Sequence, residues 1–215
     1  MNRFAPRMRW GRFACTALAC AMFGAGVVRA ADDDTLPSGE TIDAIWHIER
    51  IAFTYQSSTV RYECGALQRR IAEILHAVGA HARVGVELTC VSGDMVRHAG
   101  AHITLAVPVE ATAENVAAAT DYDTRDELVA RLRQEQLPSA SDIERFPASW
   151  RTVALTRSPP LALGPTDCDL LRSMRDQVFP RLRVRVVSSG LNCGGGSDTR
   201  IQPRIHVNAL MPSRT

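Results

Sequence analysis

The chain contains no lysine; all 25 of its basic residues are arginine. That absence, and the lack of any Gly-Lys-Ser or Gly-Lys-Thr ending, excludes a phosphate loop at Gly194–Gly196, where the glycines serve a turn. No Cys-x-x-Cys pair is present, so spacing supports neither thioredoxin-like redox chemistry nor a zinc knuckle. Ser197 lacks the following glycine of a nucleophile elbow, and no acid pair has a spacing that demands glycosidase chemistry. Aromatic residues are scarce, 6% against 46% hydrophobic, which implies a globular core built on aliphatic side chains. No apolar run reaches the roughly twenty residues of a membrane-spanning helix. The longest, Phe13–Val28, has about sixteen and contains Gly24 and Gly26.

That run belongs to a targeting segment. Arg3, Arg7, Arg9 and Arg12 precede it, and Val28, Arg29 and Ala30 form a small-residue cleavage site, so residues 1–30 read as a signal peptide. The arrangement resembles that of exported proteins of Gram-negative bacteria and points to the periplasm, with secretion as the alternative. Residues 31–44, polar and carrying Pro37 and Gly39, read as a flexible lead-in. Without the five arginines of the signal, 20 arginines face 23 acids, a net charge of about −3. The excess is unevenly placed: 31–150 holds 10 Arg and 19 acids, whereas 151–215 holds 10 Arg and 4 acids. Such asymmetry allows the two parts to attract one another, or the second to meet an anionic surface.

The apolar pattern occurs twice. Leu67, Ile71, Ile74, Leu75 and Val78 lie on one face of a helix ended by Gly79. Val84, Val86 and Leu88 then alternate as a half-buried strand that Cys90 closes, and Ile103, Leu105 and Val107 form a further strand ended by Pro108. In the second copy Val153–Thr156 answers Ile51–Thr54, Thr166 and Asp169 resemble a capping box, and Leu170, Leu171, Met174 and Val178 form the buried stripe. Leu182, Val184 and Val186 alternate with Arg181, Arg183 and Arg185 as a strand, and Ile205, Val207 and Ala209 form the last one, ending at Pro212. Cys64 to Pro108 and Cys168 to Pro212 both span 44 positions. The expected fold is α+β: two tandem β-α-β-β units at 45–110 and 149–215, joined by a helical linker at 111–148. In that linker Asp123 or Thr124 caps a helix whose Leu128 and Leu132 face inward.

Cys15 and Cys20 leave with the signal, so the mature chain has four cysteines, an even number in an oxidising compartment. Three pairings are possible, and two of them respect the repeat. Short loops favour Cys64 with Cys90 and Cys168 with Cys193, one crosslink inside each unit.

No metal site, cofactor or catalytic residue is expected. His98 and His102 are four apart but lie where a loop enters a strand, and no carboxylate stands between them. Arg181, Arg183 and Arg185 project from one face of the expected strand, with Arg204 beginning the next. Arginine's fork suits bidentate recognition of an anion, so these four are the candidate anion- or partner-binding residues. At the level of topology β-α-β-β units resemble the repeated modules with which bacterial envelope assemblies make protein contacts. The functional expectation is an exported, disulfide-stabilised, non-catalytic binding module whose partner is an envelope protein or an anionic surface, not nucleic acid, with no transmembrane span in the mature chain. A periplasmic hydrolase and a secreted inhibitor are the alternatives.

Overall fold

The computed structural model describes residues 39–58, 60–90, 95–193 and 203–213. The expected signal peptide, most of the lead-in and the Gly194–Ser197 turn lie outside them. Eight strands are described: β1 (Thr41–Gln56), β2 (Tyr62–Glu63), β3 (Gly85–Cys90), β4 (Met95–Val96), β5 (His98–Glu110), β6 (Phe146–Leu155), β7 (Arg185–Ser189) and β8 (Ile205–Pro212). The helices are α1 (Cys64–Ala77), α2 (Ala113–Ala119), α3 (Thr124–Arg133) and α4 (Cys168–Gln177), the last preceded by a 3-10 turn at Pro165–Asp167.

Six strands form one antiparallel sheet in the order β3-β5-β1-β6-β8-β7, and β2 pairs separately with β4. β1 pairs with β5 from Ala44↔Glu110 to Gln56↔His98 but meets β6 only from Thr41↔Ser149 to Ala44↔Phe146. The sheet is therefore two three-stranded ladders held by a short seam. Beyond the seam no strand among the described residues lies on the second edge of β1, and α4 supplies a substitute. The Gln177 amide accepts from Thr54 N at 3.0 Å and donates to Thr54 O at 2.9 Å, as a neighbouring strand would.

Both helical stripes pack on one face of this sheet. Leu67, Ile71, Ile74 and Leu75 of α1 and Leu170, Leu171 and Met174 of α4 are fully buried, and they share a core with Phe53, Leu105, Leu155 and Val207 from both ladders. The opposite face stays open where Arg50, Ala52, Thr54, His102 and Glu87 point outward. Near the seam it carries a small apolar cluster of Ala44, Ala148 and Leu210, flanked by Phe146 and Trp150.

Disulfides join Cys64 to Cys90 and Cys168 to Cys193, with Cα–Cα separations of 6.4 and 5.5 Å. Each ties the first residue of a helix to chain 26 or 25 positions on. The two crosslinks fit an oxidising compartment. Among the described residues no helix is long and apolar enough to cross a membrane.

Several local expectations change. Pro108 does not end its strand: β5 continues to Glu110, and Pro108 pairs with Trp46 where β1 is β5's remaining partner, β3 having stopped opposite Thr104. Pro147, placed in the boundary between units, is inside β6. In α3 the leucines face out, Leu128 52% and Leu132 84% exposed, while Ala130 is buried; the smaller residue allows the helix to lie close. Asp169 does not cap α4, because its carboxylate is engaged by Ser57 at 2.6 Å.

Gly79 ends α1 with φ +97°, and a Cβ there would stand 2.6 Å from the Leu210 carbonyl oxygen. Gly79→Ala should lower stability by about 1–3 kcal/mol, from backbone strain and the displaced strand end. Gly100→Ala, with nothing within 4 Å of its new Cβ, should stay within about 0.5 kcal/mol; urea denaturation compares the two. The Glu63 carboxylate caps α1 by accepting from Gly65 N and Ala66 N, and these bonds hold its pKa below the ordinary 4.5. A depressed folded-state pKa means stability that is complete above about pH 4.5 and lost as pH falls through the folded value. The urea midpoint of the wild type should thus fall more steeply between about pH 5 and 3 than that of Glu63→Gln.

Candidate functional site

The stretch after α4 is where the arginines were expected to share a strand face, and the backbone arranges them otherwise. The helix stops at Gln177, the chain turns through 178–183, and β7 begins only at Arg185. Leu182 and Val184 are buried, so the alternation read from the sequence holds for burial although the backbone is not extended. Arg183, set between them, has φ 55° in the left-handed region. A long side chain occupies that region at a cost of about 1–3 kcal/mol, sustained by the buried residues on either side.

The Arg183 guanidinium donates to Asn115 Oδ1 at 3.1 Å. Asn115 is itself buried, and its Nδ2 donates to Glu110 O at 2.7 Å, which orients the amide oxygen towards the arginine. The segment thereby aims one cation over a cleft of about 210 Å³. Val107, Val109, Val184 and Leu210 form its apolar walls, and Glu110, Trp150, Arg183 and Arg185 supply polar groups. Trp150 Nε1 donates to Glu110 Oε1 at 3.4 Å, so this carboxylate already has a partner. The cleft thus offers an apolar body and a rim that includes two arginines.

The other two arginines lie elsewhere. Arg181 lines a separate cleft with Arg50, Asp176 and Gln177. Arg204 adjoins the far end of β7, where Gly190 N donates to its carbonyl at 2.7 Å, about 13 Å along the strand from Arg185 at the usual rise. Only Arg183 and Arg185 are brought together.

A second cluster was not found by sequence reasoning. Asp167, 2% exposed, accepts from the Tyr62 hydroxyl, from Arg70 Nε at 3.2 Å and from Gly164 N at 2.7 Å. Burial, and then the hydrogen bond to Asp167, push the Tyr62 phenol far above its usual pKa, which keeps it a donor. Nearby, the Ser57 hydroxyl donates to Asp169 and accepts from Val60 N at 2.9 Å. The Ser57 hydroxyl is therefore engaged both as donor and as acceptor. The Tyr55 hydroxyl is buried against Ser57 without a hydrogen bond of sound geometry, and burial raises its pKa. Beside this cluster Thr54, Gln56, Ser58, Arg172, Ser173 and Gln177 line a polar cleft of about 390 Å³. Tyr62 and Asp167 are 105 positions apart, and no periodic pattern links residues so distant. The adjacency of tyrosines and aspartates to the repeated cysteines, at Tyr62-Glu63-Cys64 and Asp167-Cys168-Asp169, was the available signal.

Among the described residues no group of three or more His, Cys, Asp or Glu is placed to hold a metal ion. His98 and His102 lie on the open face of β5.

The Asp167 cluster is the more structural of the two sites. Asp167→Ala removes the acceptor of the Tyr62 hydroxyl and the Gly164 amide, while Arg70 keeps Glu73 and the Leu161 carbonyl, and should destabilise by about 1–3 kcal/mol. Tyr62→Phe removes one hydrogen bond and should cost about 1–3 kcal/mol. The double variant should lose less than the sum, as read from denaturation with both disulfides intact.

The chain matches no protein-family model, no curated protein and no solved structure, so its function has to be argued from this geometry.

Proposed function

We propose that this protein is an exported, non-catalytic binding module of the bacterial envelope, most at home in the periplasm, whose ligand carries an anionic group on an apolar body. The observation that carries the proposal is Arg183: a strained backbone and a buried asparagine direct its guanidinium to the rim of an apolar cleft, beside Arg185. Backbone strain is maintained where surrounding structure over-determines it, and such positions cluster at ligand sites. An arginine fixed in advance loses less rotamer freedom on binding than a solvated one.

The scaffold is proposed to be a tandem duplication of two β-α-β-β units. Supporting it, β1-α1-β3-β5 and β6-α4-β7-β8 follow the same order of elements, and their ladders read β3-β5-β1 and β7-β8-β6 on either side of the seam. The ligand end then lies at the turn after α4, where the second unit holds Arg183 in place of the first unit's Gly79 turn, against walls that both units supply. Arg181 and Arg204 stand outside this cleft.

The test uses 8-anilinonaphthalene-1-sulfonate, an anion on an apolar body, with the folded, disulfide-bonded protein. Saturable fluorescence enhancement is expected. Arg183→Gln combined with Arg185→Gln should weaken it about tenfold or more, as loss of a charge-assisted bond implies. Arg181→Gln should leave it unchanged, and equal binding by the double variant would sink the proposal.

A further inference from the structure

We infer that the partner is the C-terminal end of an extended polypeptide: a segment with a free carboxylate and an apolar last residue, paired antiparallel along the open edge of β7. This rests on the reading of the Arg183 cleft as a binding site and adds the identity of what enters it.

β7 is an outer strand of the sheet and, among the described residues, pairs with β8 alone. All five of its residues are exposed, Val186 at 40% and Val187 at 58%. The other outer strand, β3, is protected: Gln68 Nε2 donates to Val86 O at 2.6 Å, and the disulfide at Cys90 ties the strand end to α1. An exposed edge with apolar side chains is a template for another strand. Two features limit what that strand is. β7 has only five residues, and its register with β8 shifts between Val186 and Ser188, a bulge of the kind that bends an edge away from long sheet-to-sheet pairing. A short peptide fits such an edge better than a second copy of this chain.

Charge sets the direction. Arg185 both opens β7 and lines the cleft with Arg183. A peptide antiparallel to β7 brings its C-terminal end to Arg185, so that its carboxylate meets the two guanidiniums. Its last side chain then has the apolar walls formed by Val184 and Leu210, with Trp150 beside them. A parallel peptide would bring an ammonium to the same arginines and be repelled. Main-chain bonds to the edge give affinity in such complexes, and the terminal pocket gives selectivity.

The test is fluorescence polarisation with the intact, oxidised protein and an N-terminally labelled hexapeptide, Thr-Val-Thr-Val-Thr-Leu, as the free acid and as the C-terminal amide. The acid should bind about tenfold tighter or more, and Arg183→Gln should bring it to the level of the amide. Amide exchange at Val186–Ser189 should slow in the presence of the acid. If the acid and the amide bind equally, or exchange in β7 is unchanged, the inference is wrong. Should N-acetyl-leucine bind as tightly as the hexapeptide, with both lost in Arg183→Gln, the anion cleft stands and the strand pairing falls. A dimer in sedimentation that Val187→Pro dissociates, with no peptide affinity, would assign the edge to a second copy and likewise overturn it.

Discussion

The buried carboxylate of Asp167 is the constraint around which the two ladders are arranged. A charge removed from water has to be met by donors, and here the donors are Tyr62, Arg70 and the Gly164 amide. Two of the three come from the first half of the chain and one from the second. The carboxylate therefore fixes the start of α4 against β2 and α1. That matters because β1 and β6 share only a short seam, too little for the sheet alone to set the angle between the ladders. With α4 placed from Asp167, its far end brings Gln177 to the uncovered edge of β1, and the chain leaving the helix delivers Leu182 and Val184 to the core beneath β8.

Net charge plays a smaller part in joining the halves than its distribution implies. Residues 31–150 are acidic and 151–215 basic, yet an ion pair between them, Arg70 with Asp167, uses the minority sign of each. Arg50 with Asp126 and Glu127 with Arg131 are exposed and lie within the first part, where screening leaves such pairs worth little. Local geometry and desolvation outweigh the overall field.

The halves differ where function is proposed. Both have a disulfide at the start of the helix and a buried apolar stripe, four residues in α1 and three in α4, and both place the helix on the same face of the sheet. After α1 the chain turns at Gly79, a residue that takes positive φ without strain. After α4 the corresponding region holds Arg183 in the left-handed conformation, with Asn115 reaching it from α2. β3 has its edge blocked by Gln68, while β7 does not present the same block among the described residues. The common features account for the scaffold, and the differences concentrate at one end of the second half.

The sequence by itself determined helices α1 and α4 with their buried stripes, favoured the pairing of the four cysteines that the structure holds, and marked the strands of both ladders apart from the start of β7. Those features depend on periods of 3.6 and 2 and on loop length, which act over a few residues or a short closure. Tertiary structure decided the rest. Leu182 and Val184 are buried every second residue in a turn as they would be in a strand, so alternation alone could not place the start of β7. The direction of Leu128 and Leu132 was open because α3 offers Ala130 as an alternative inward residue. Pro108 stays in its strand because of which neighbour lies beside it. The contacts of Arg183 with Asn115 and of Tyr62 with Asp167 join residues 68 and 105 positions apart, and only the folded chain brings them together.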